Sequence, residues 1–104
     1  TNGILVVYRM SAPGGSITLE ETKMIVYPNP TTGFTNITFD VKYAGRVNLS
    51  VYDMGGNRII TILDRDMPTG NFTYNFNLDS FHDGFYFATL QSNQQIGSSK
   101  IIKN

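Results

Sequence analysis

Ser80, His82 and Asp83 fall within one short stretch, and they are the side-chain types of a nucleophile, a general base and an orienting acid. A working triad needs these groups to converge in space, which three residues of a single turn rarely do. His82 is the only histidine in the chain, so no second constellation competes, and catalysis is not expected. Asp64-Arg65-Asp66 and Asp79 offer carboxylates to a cation. Calcium asks for about six or more oxygens at a recognisable spacing, and none is present, so these residues read as solvated loop. The absence of cysteine removes thiolate chemistry and any disulfide framework. Asn36-Ile37-Thr38, Asn48-Leu49-Ser50 and Asn71-Phe72-Thr73 match the N-glycosylation pattern. In a chain rich in Asn and Thr they read as outward polar positions of strands. No catalytic, metal or cofactor-binding residue is expected.

At 104 residues the chain suits one domain with a modest core. Net charge is zero and only 15% of residues are charged, so no basic field exists for nucleic acid or anionic lipid. No apolar run reaches membrane-spanning length. The opening Thr1-Asn2-Gly3 is neither an initiator methionine nor a signal peptide, so the chain reads as part of a longer one.

Turn residues interrupt the sequence too often for a helical period, whereas two-residue alternation recurs. Residues 4–8 form a short apolar strand candidate, followed by a linker-like break at Pro13-Gly14-Gly15-Ser16. Residues 1–23 therefore read as the tail of a preceding domain plus a linker, and residues 24–104 as the domain; the rival reading makes the first run an extra strand of the domain. Ile37, Phe39 and Val41 share one face, as do Val47, Leu49 and Val51. Phe72, Tyr74, Phe76 and Leu78 alternate with Asn71, Thr73, Asn75 and Asn77, which face water. Gly55-Gly56-Asn57 signals a hairpin, both glycines being expected at positive φ. Asn93-Gln94-Gln95 separates the run 85–90 from the run 96–103. Seven strands fit residues 24–104, giving an all-β, seven-stranded antiparallel, Ig-like β-sandwich.

The punctuation forms an ordered set. Tyr27-Pro28-Asn29-Pro30 fixes φ at two prolines, removes two N–H donors and, with Gly33, acts as a stiff turn. A strand–turn–strand junction follows, containing Asp53, Gly56 and Arg58; then Leu78, Gly84-Phe85-Tyr86, and Lys100-Ile101-Ile102-Lys103. In this order, running to the C-terminus, the series resembles the type A C-terminal sorting domain of type IX secretion system cargo. One departure is that Asn57 stands between the second motif's glycine and Arg58, which makes that turn longer or more polar.

The resemblance implies a folded export label without chemistry of its own. It implies a covalently attached N-terminal cargo and recognition by the type IX machinery, including an outer-membrane shuttle. It further implies passage through the periplasm and outer membrane of a Gram-negative bacterium, and removal by a sortase-like peptidase. From the residues, Asp53 is expected to accept backbone N–H bonds in its turn. Tyr86 is expected to be a core aromatic with its hydroxyl at the rim. Lys100 and Lys103, flanking Ile101 and Ile102, read as charges protecting an edge strand, and that edge suits recognition by strand pairing or a weak homodimer. A carbohydrate-binding or adhesive sandwich of a surface enzyme is the rival reading, against which stands the lack of Trp.

Overall fold

Alternating segments put one side chain row in the interior and the next in water, and β-branched and aromatic residues suit that half-buried surface. The computed structural model describes residues 11–12, 15–16 and 19–104, and these contain strands but no helix. Residues 4–8, Pro13 and Gly14 lie outside the described residues. The strands are β1 (Ser11–Ala12), β2 (Gly15–Ser16), β3 (Glu20–Glu21), β4 (Met24–Tyr27) and β5 (Phe34–Val41). They continue as β6 (Gly45–Asp53), β7 (Arg58–Met67), β8 (Gly70–Asn77), β9 (Gly84–Ser92) and β10 (Gln95–Lys103). Among the described residues the first two pair only with each other.

The remaining eight build two sheets, ordered β3-β10-β9-β6-β7 and β4-β5-β8. The expected seven strands are thus corrected to eight, because Glu20–Glu21 joins the larger sheet at its β10 edge. That junction is parallel, so the sandwich is not wholly antiparallel. Hairpins connect β4 to β5, β6 to β7 and β9 to β10, while β5–β6, β7–β8 and β8–β9 cross between sheets. The inward rows meet as expected: Ile37, Phe39, Val47, Leu49, Val51, Phe76, Leu78, Ala88 and Leu90 form one buried cluster. Phe39 stacks on Tyr74 with ring centroids 5.9 Å apart, tying β5 to β8 through the core side of their ladder.

One end of the sandwich is closed by a residue that the sequence assigned to a turn. Gln95 opens β10 and is 2% exposed. Its Oε1 accepts the Lys42 N–H at 2.7 Å, and its Nε2 donates to the Asp40 carbonyl at 3.1 Å. The side chain thereby satisfies backbone groups where β5 leaves its sheet. Gln95→Ala orphans both partners and is expected to destabilise the domain by about 2 kcal/mol. Urea unfolding checks this: the midpoint should fall with an unchanged slope.

Candidate recognition face

Strand register gathers the scattered motifs at one end of the molecule. Ile101 pairs with Tyr86 and Lys103 with Gly84, so the end of β10 lies beside the start of β9. Asp53 pairs with Tyr86, which brings the end of β6 and its turn to the same place. Thr31 bridges to Lys103, and the Leu78 N–H donates to the Gly33 carbonyl at 2.9 Å. Residues separated by up to 73 positions in sequence thus share one end of the sandwich.

Asp53 holds its turn as the sequence suggests. Its Oδ1 accepts the N–H groups of Gly55 and Asn57, each at 2.9 Å, and its main chain pairs with Asn57. The Asn57 backbone donor, above all, holds the Asp53 carboxyl below its ordinary range, with the Asn57 side chain and the Gly55 donor adding to it against desolvation. Gly56 takes φ 84°, a left-handed conformation suited to glycine. Gly55 does not, which corrects the expectation of two positive-φ glycines; the Asp53 carboxylate replaces the second as the turn's constraint.

Asn29 supplies what the sequence could not reveal. Both X-Pro bonds of Tyr27-Pro28-Asn29-Pro30 are cis. The Asn29 Nδ2 donates to the Lys100 carbonyl at 2.7 Å, and its Oδ1 accepts the Ile102 N–H at 2.8 Å. The Thr31 N–H donates to the Ile102 carbonyl at 2.8 Å, and the Asn104 N–H to the Thr31 carbonyl at 3.0 Å. At the other end of β10 the Thr22 N–H reaches the Ile96 carbonyl at 2.8 Å. The expectation of an open edge on the last strand is therefore corrected, and with it the basis for a dimer through that edge. Tyr27 itself points outward and is 73% exposed. The Pro28 carbonyl accepts the Thr35 hydroxyl at 2.7 Å.

Lys103 is also corrected. It pairs on the inward row with Gly84, and its side chain is only 10% exposed. Its Nζ donates to the Phe81 carbonyl at 2.6 Å and lies 3.7 Å from Asp83 Oδ1, so it pins the 78–83 connection rather than guarding an edge. Ile101 is fully buried. The Tyr86 hydroxyl donates to the His82 carbonyl at 2.6 Å, and Phe81 bridges the rings of Phe76 and Tyr86. His82 thus enters through its main chain, and Ser80 and Asp79 stay in the exposed connection.

On the outward face of the larger sheet, register places Arg58, Tyr52, Phe87 and Lys100 in one cross-strand row. Lys100 Nζ stands 4.7 Å over the ring of Phe85, which is 43% exposed. Met54, 68% exposed, lines both a cavity of about 330 Å³ against Tyr52, Phe87 and Thr89 and one of about 220 Å³ against Asp83 and Phe85. Among the described residues neither Lys100 nor Arg58 is paired with a carboxylate. Outward parity opposite Tyr86 and Ala88 marks Phe85 and Phe87 in the sequence, whereas nothing local marks Met54.

Such an arrangement defines a class: an all-β domain with surfaces and clips at its motif-bearing end and no catalytic constellation there. The family model described as "Secretion system C-terminal sorting domain" matches residues 25–104, and the chain belongs to that family, the C-terminal sorting domains of type IX secretion. It is a C-terminal sorting signal, a domain type that is not catalytic, which implies engagement with the type IX machinery and export to the cell surface or medium. No curated protein matches the chain. Among solved structures it is similar to the sulfur carrier protein SoxY from Chlorobium limicola f thiosulfatophilum. That match has 10% identity and TM-score 0.44 over 99% of this chain and 88% of that one, a likeness too low to carry an argument.

Because its folded pKa is depressed, Asp53 contributes stability that is complete above the ordinary carboxylate range and lost as pH falls through the lowered value. Asp53→Asn should therefore lower the melting temperature near neutral pH, and the gap from the parent should close in acid. Thermal melts across an acid series measure it; a gap independent of pH contradicts the assignment.

Proposed function

We propose that the end carrying Tyr27, Pro28, Asn29, Pro30, Asp53, Gly56, Arg58, Gly84, Tyr86, Lys100, Ile101, Ile102 and Lys103 is the face by which the export machinery recognises this domain. One observation carries the reading: separate motifs assemble around the exposed Phe85, Met54 and Lys100. Asp53, Gly56, Gly84, Tyr86, Ile101 and Lys103 shape that face from beneath. Arg58, Lys100 and the aromatic row contact the partner, which presents apolar groups and carboxylates. An outer-membrane shuttle receives the domain after the cargo crosses the periplasm, and a sortase-like peptidase removes it. The domain starts at Glu20 rather than Met24, since Glu20–Glu21 pairs with β10, with cargo attached upstream.

The fold is Ig-like. Supporting this, β4, β5 and β8 form one sheet while β6, β7, β9 and β10 form the other, a Greek-key partition. Tyr86, near the start of β9, bonds back to His82 in the manner of a tyrosine corner. A second reading has its own observation: Tyr27 and Phe34 are both more than half exposed on the outer face of the smaller sheet, beside the Asn36 and Asn75 amides. Aromatic rings and carboxamides suit a sugar, as an adhesive module would require. A homodimer through the terminal strand would need its covered edge to open first.

The full chain fused to a periplasmic reporter should reach the cell surface or the medium in a host with type IX secretion. Phe85→Glu should leave the melting temperature close to the parent's and lower export about tenfold, as loss of one anchoring aromatic does. Retention of the parent fusion in the periplasm defeats the sorting reading. Normal export of Phe85→Glu moves recognition away from this face, and saturable polysaccharide binding abolished by Tyr27→Ala favours the adhesive reading.

A further inference from the structure

Residues 20–31 follow the outer edge of β10 without forming a continuous strand along it. They touch it at two places. Glu20–Glu21 pairs with Gln95 and Ile96 at one end, and Asn29 and Thr31 bond Lys100, Ile102 and Asn104 at the other. Between them the chain leaves to pair with β5 in the opposite sheet, from Met24 with Phe39 to Tyr27 with Asn36. Gly97 makes the close crossing possible: a Cβ there would fall 2.8 Å from the Thr22 carbonyl oxygen. At the far end the Asn29 carboxamide occupies the position of a peptide group, donating to one strand carbonyl and accepting from the next outward N–H.

We propose that the two clips flanking β4, residues 20–22 and 29–31, are displaceable while β4 keeps its place against β5, and that the edge they cover, residues 97–104, is the pairing site for an extended strand of an export partner. This rests on the reading of the domain as a sorting signal. The chemistry of the occupant follows from what now fills the site. An edge whose N–H and C=O groups are met by a side-chain imitation of a peptide accepts a real one, and a continuous strand would supply the ladder that the clips leave interrupted. The clips are also the weaker partners. On its inner side β10 is held by β9 through eight register pairs, from Ile96 to Lys103, against two with β3. The Asn29 bonds lie at the surface, where water competes for both groups, so local opening costs less there than in the core. Glu20 adds a tether, its carboxylate accepting from Lys42 Nζ at 2.6 Å and the Tyr43 hydroxyl at 2.8 Å, but this too is exposed.

Two perturbations open the clips and one locks them. Asn29→Asp removes the donor to Lys100, and Gly97→Ala pushes Thr22 away without touching the polar groups of residues 100–104. In the isolated full chain Asn29→Asp should speed amide exchange at Ile102 and Asn104 about tenfold and Gly97→Ala that at Thr22, each leaving the β10 amides that face β9 unchanged. Since the chain has no cysteine, Thr31→Cys with Lys103→Cys introduces a single disulfide across register partners. Should that pair not fold, Glu21→Cys with Ile96→Cys locks the other contact. Fused to a reporter in a type IX host, the locked chain should be exported at least about tenfold less than either single-cysteine variant, a ratio that reports lost pairing. Equal export of locked and single-cysteine chains overturns the proposal, as do unchanged exchange rates in both opening variants. Dimerisation of Asn29→Asp in sedimentation, with export lost, assigns the edge to a second copy and also overturns it. Failure of the parent fusion to leave the periplasm instead strikes the sorting reading.

Discussion

A strand at the border of a sheet presents a row of backbone donors and acceptors that must be met by something, and meeting them on β10 organises this molecule. The solution spans both layers. Glu20–Glu21 caps one end of the strand from its own sheet, and the chain then passes to the smaller sheet as β4. It returns through Pro28, Asn29 and Pro30 to cap the other end. Residues 20–31 therefore bond to both sheets along one side of the sandwich. The Pro-Asn-Pro order suits such a cap, because two prolines without donors leave few backbone groups to satisfy, while the asparagine between them offers a donor and an acceptor.

Lys103 and Tyr86 extend the same logic inward. Both point from the larger sheet into the motif-bearing end, and both bond main-chain carbonyls of the connection between β8 and β9. Gly33 lies against that connection as well; a Cβ there would collide with Asp79 Oδ1. The connection is thus fastened by an ammonium, a phenol and a close backbone approach. These fastenings fix the start of β9, and with it the direction in which Phe85 and Phe87 stand. Outward display of the aromatic row is a consequence of inward polar bonds.

Much of this architecture was legible, and the limits have physical causes. Alternation reports which face of a strand is buried, so residues 37, 39, 41, 47, 49 and 51 were assigned from periodicity alone. Asp53 was legible because its bonds are local, reaching no further than Asn57. Asn29 was not, since its partners lie 71 and 73 positions away and nothing in a side chain names a distant carbonyl. Gln95 was read as turn because glutamine is polar; its burial depends on backbone groups of Lys42 and Asp40 that only the fold brings near. Lys103 misled for a similar reason. Its charge suggests water, yet its ammonium reaches a carbonyl and a carboxylate at the end of the core, where a long stem can be buried. Glu20–Glu21 is too short to show any period.

An export label faces opposing demands, and the distribution of bonds bears on how one fold meets them. It must persist as a recognisable shape, and the buried cluster around Phe39, Leu49 and Leu78 serves that demand through apolar area. It must also engage the export machinery, which favours a surface whose intramolecular contacts can be exchanged at low cost. Core contacts cannot be traded in this way, because opening them exposes apolar side chains to water. Hydrogen bonds at an exposed edge can, because a new strand replaces each one with its like. The exposed Asn29 contacts are of that second kind, and they adjoin the Lys100–Phe85 surface across the end of a single strand. Shape therefore rests on the core cluster, Met24 of β4 included, whereas the Asn29 bonds at the end of β10 are contacts that can be replaced without opening it.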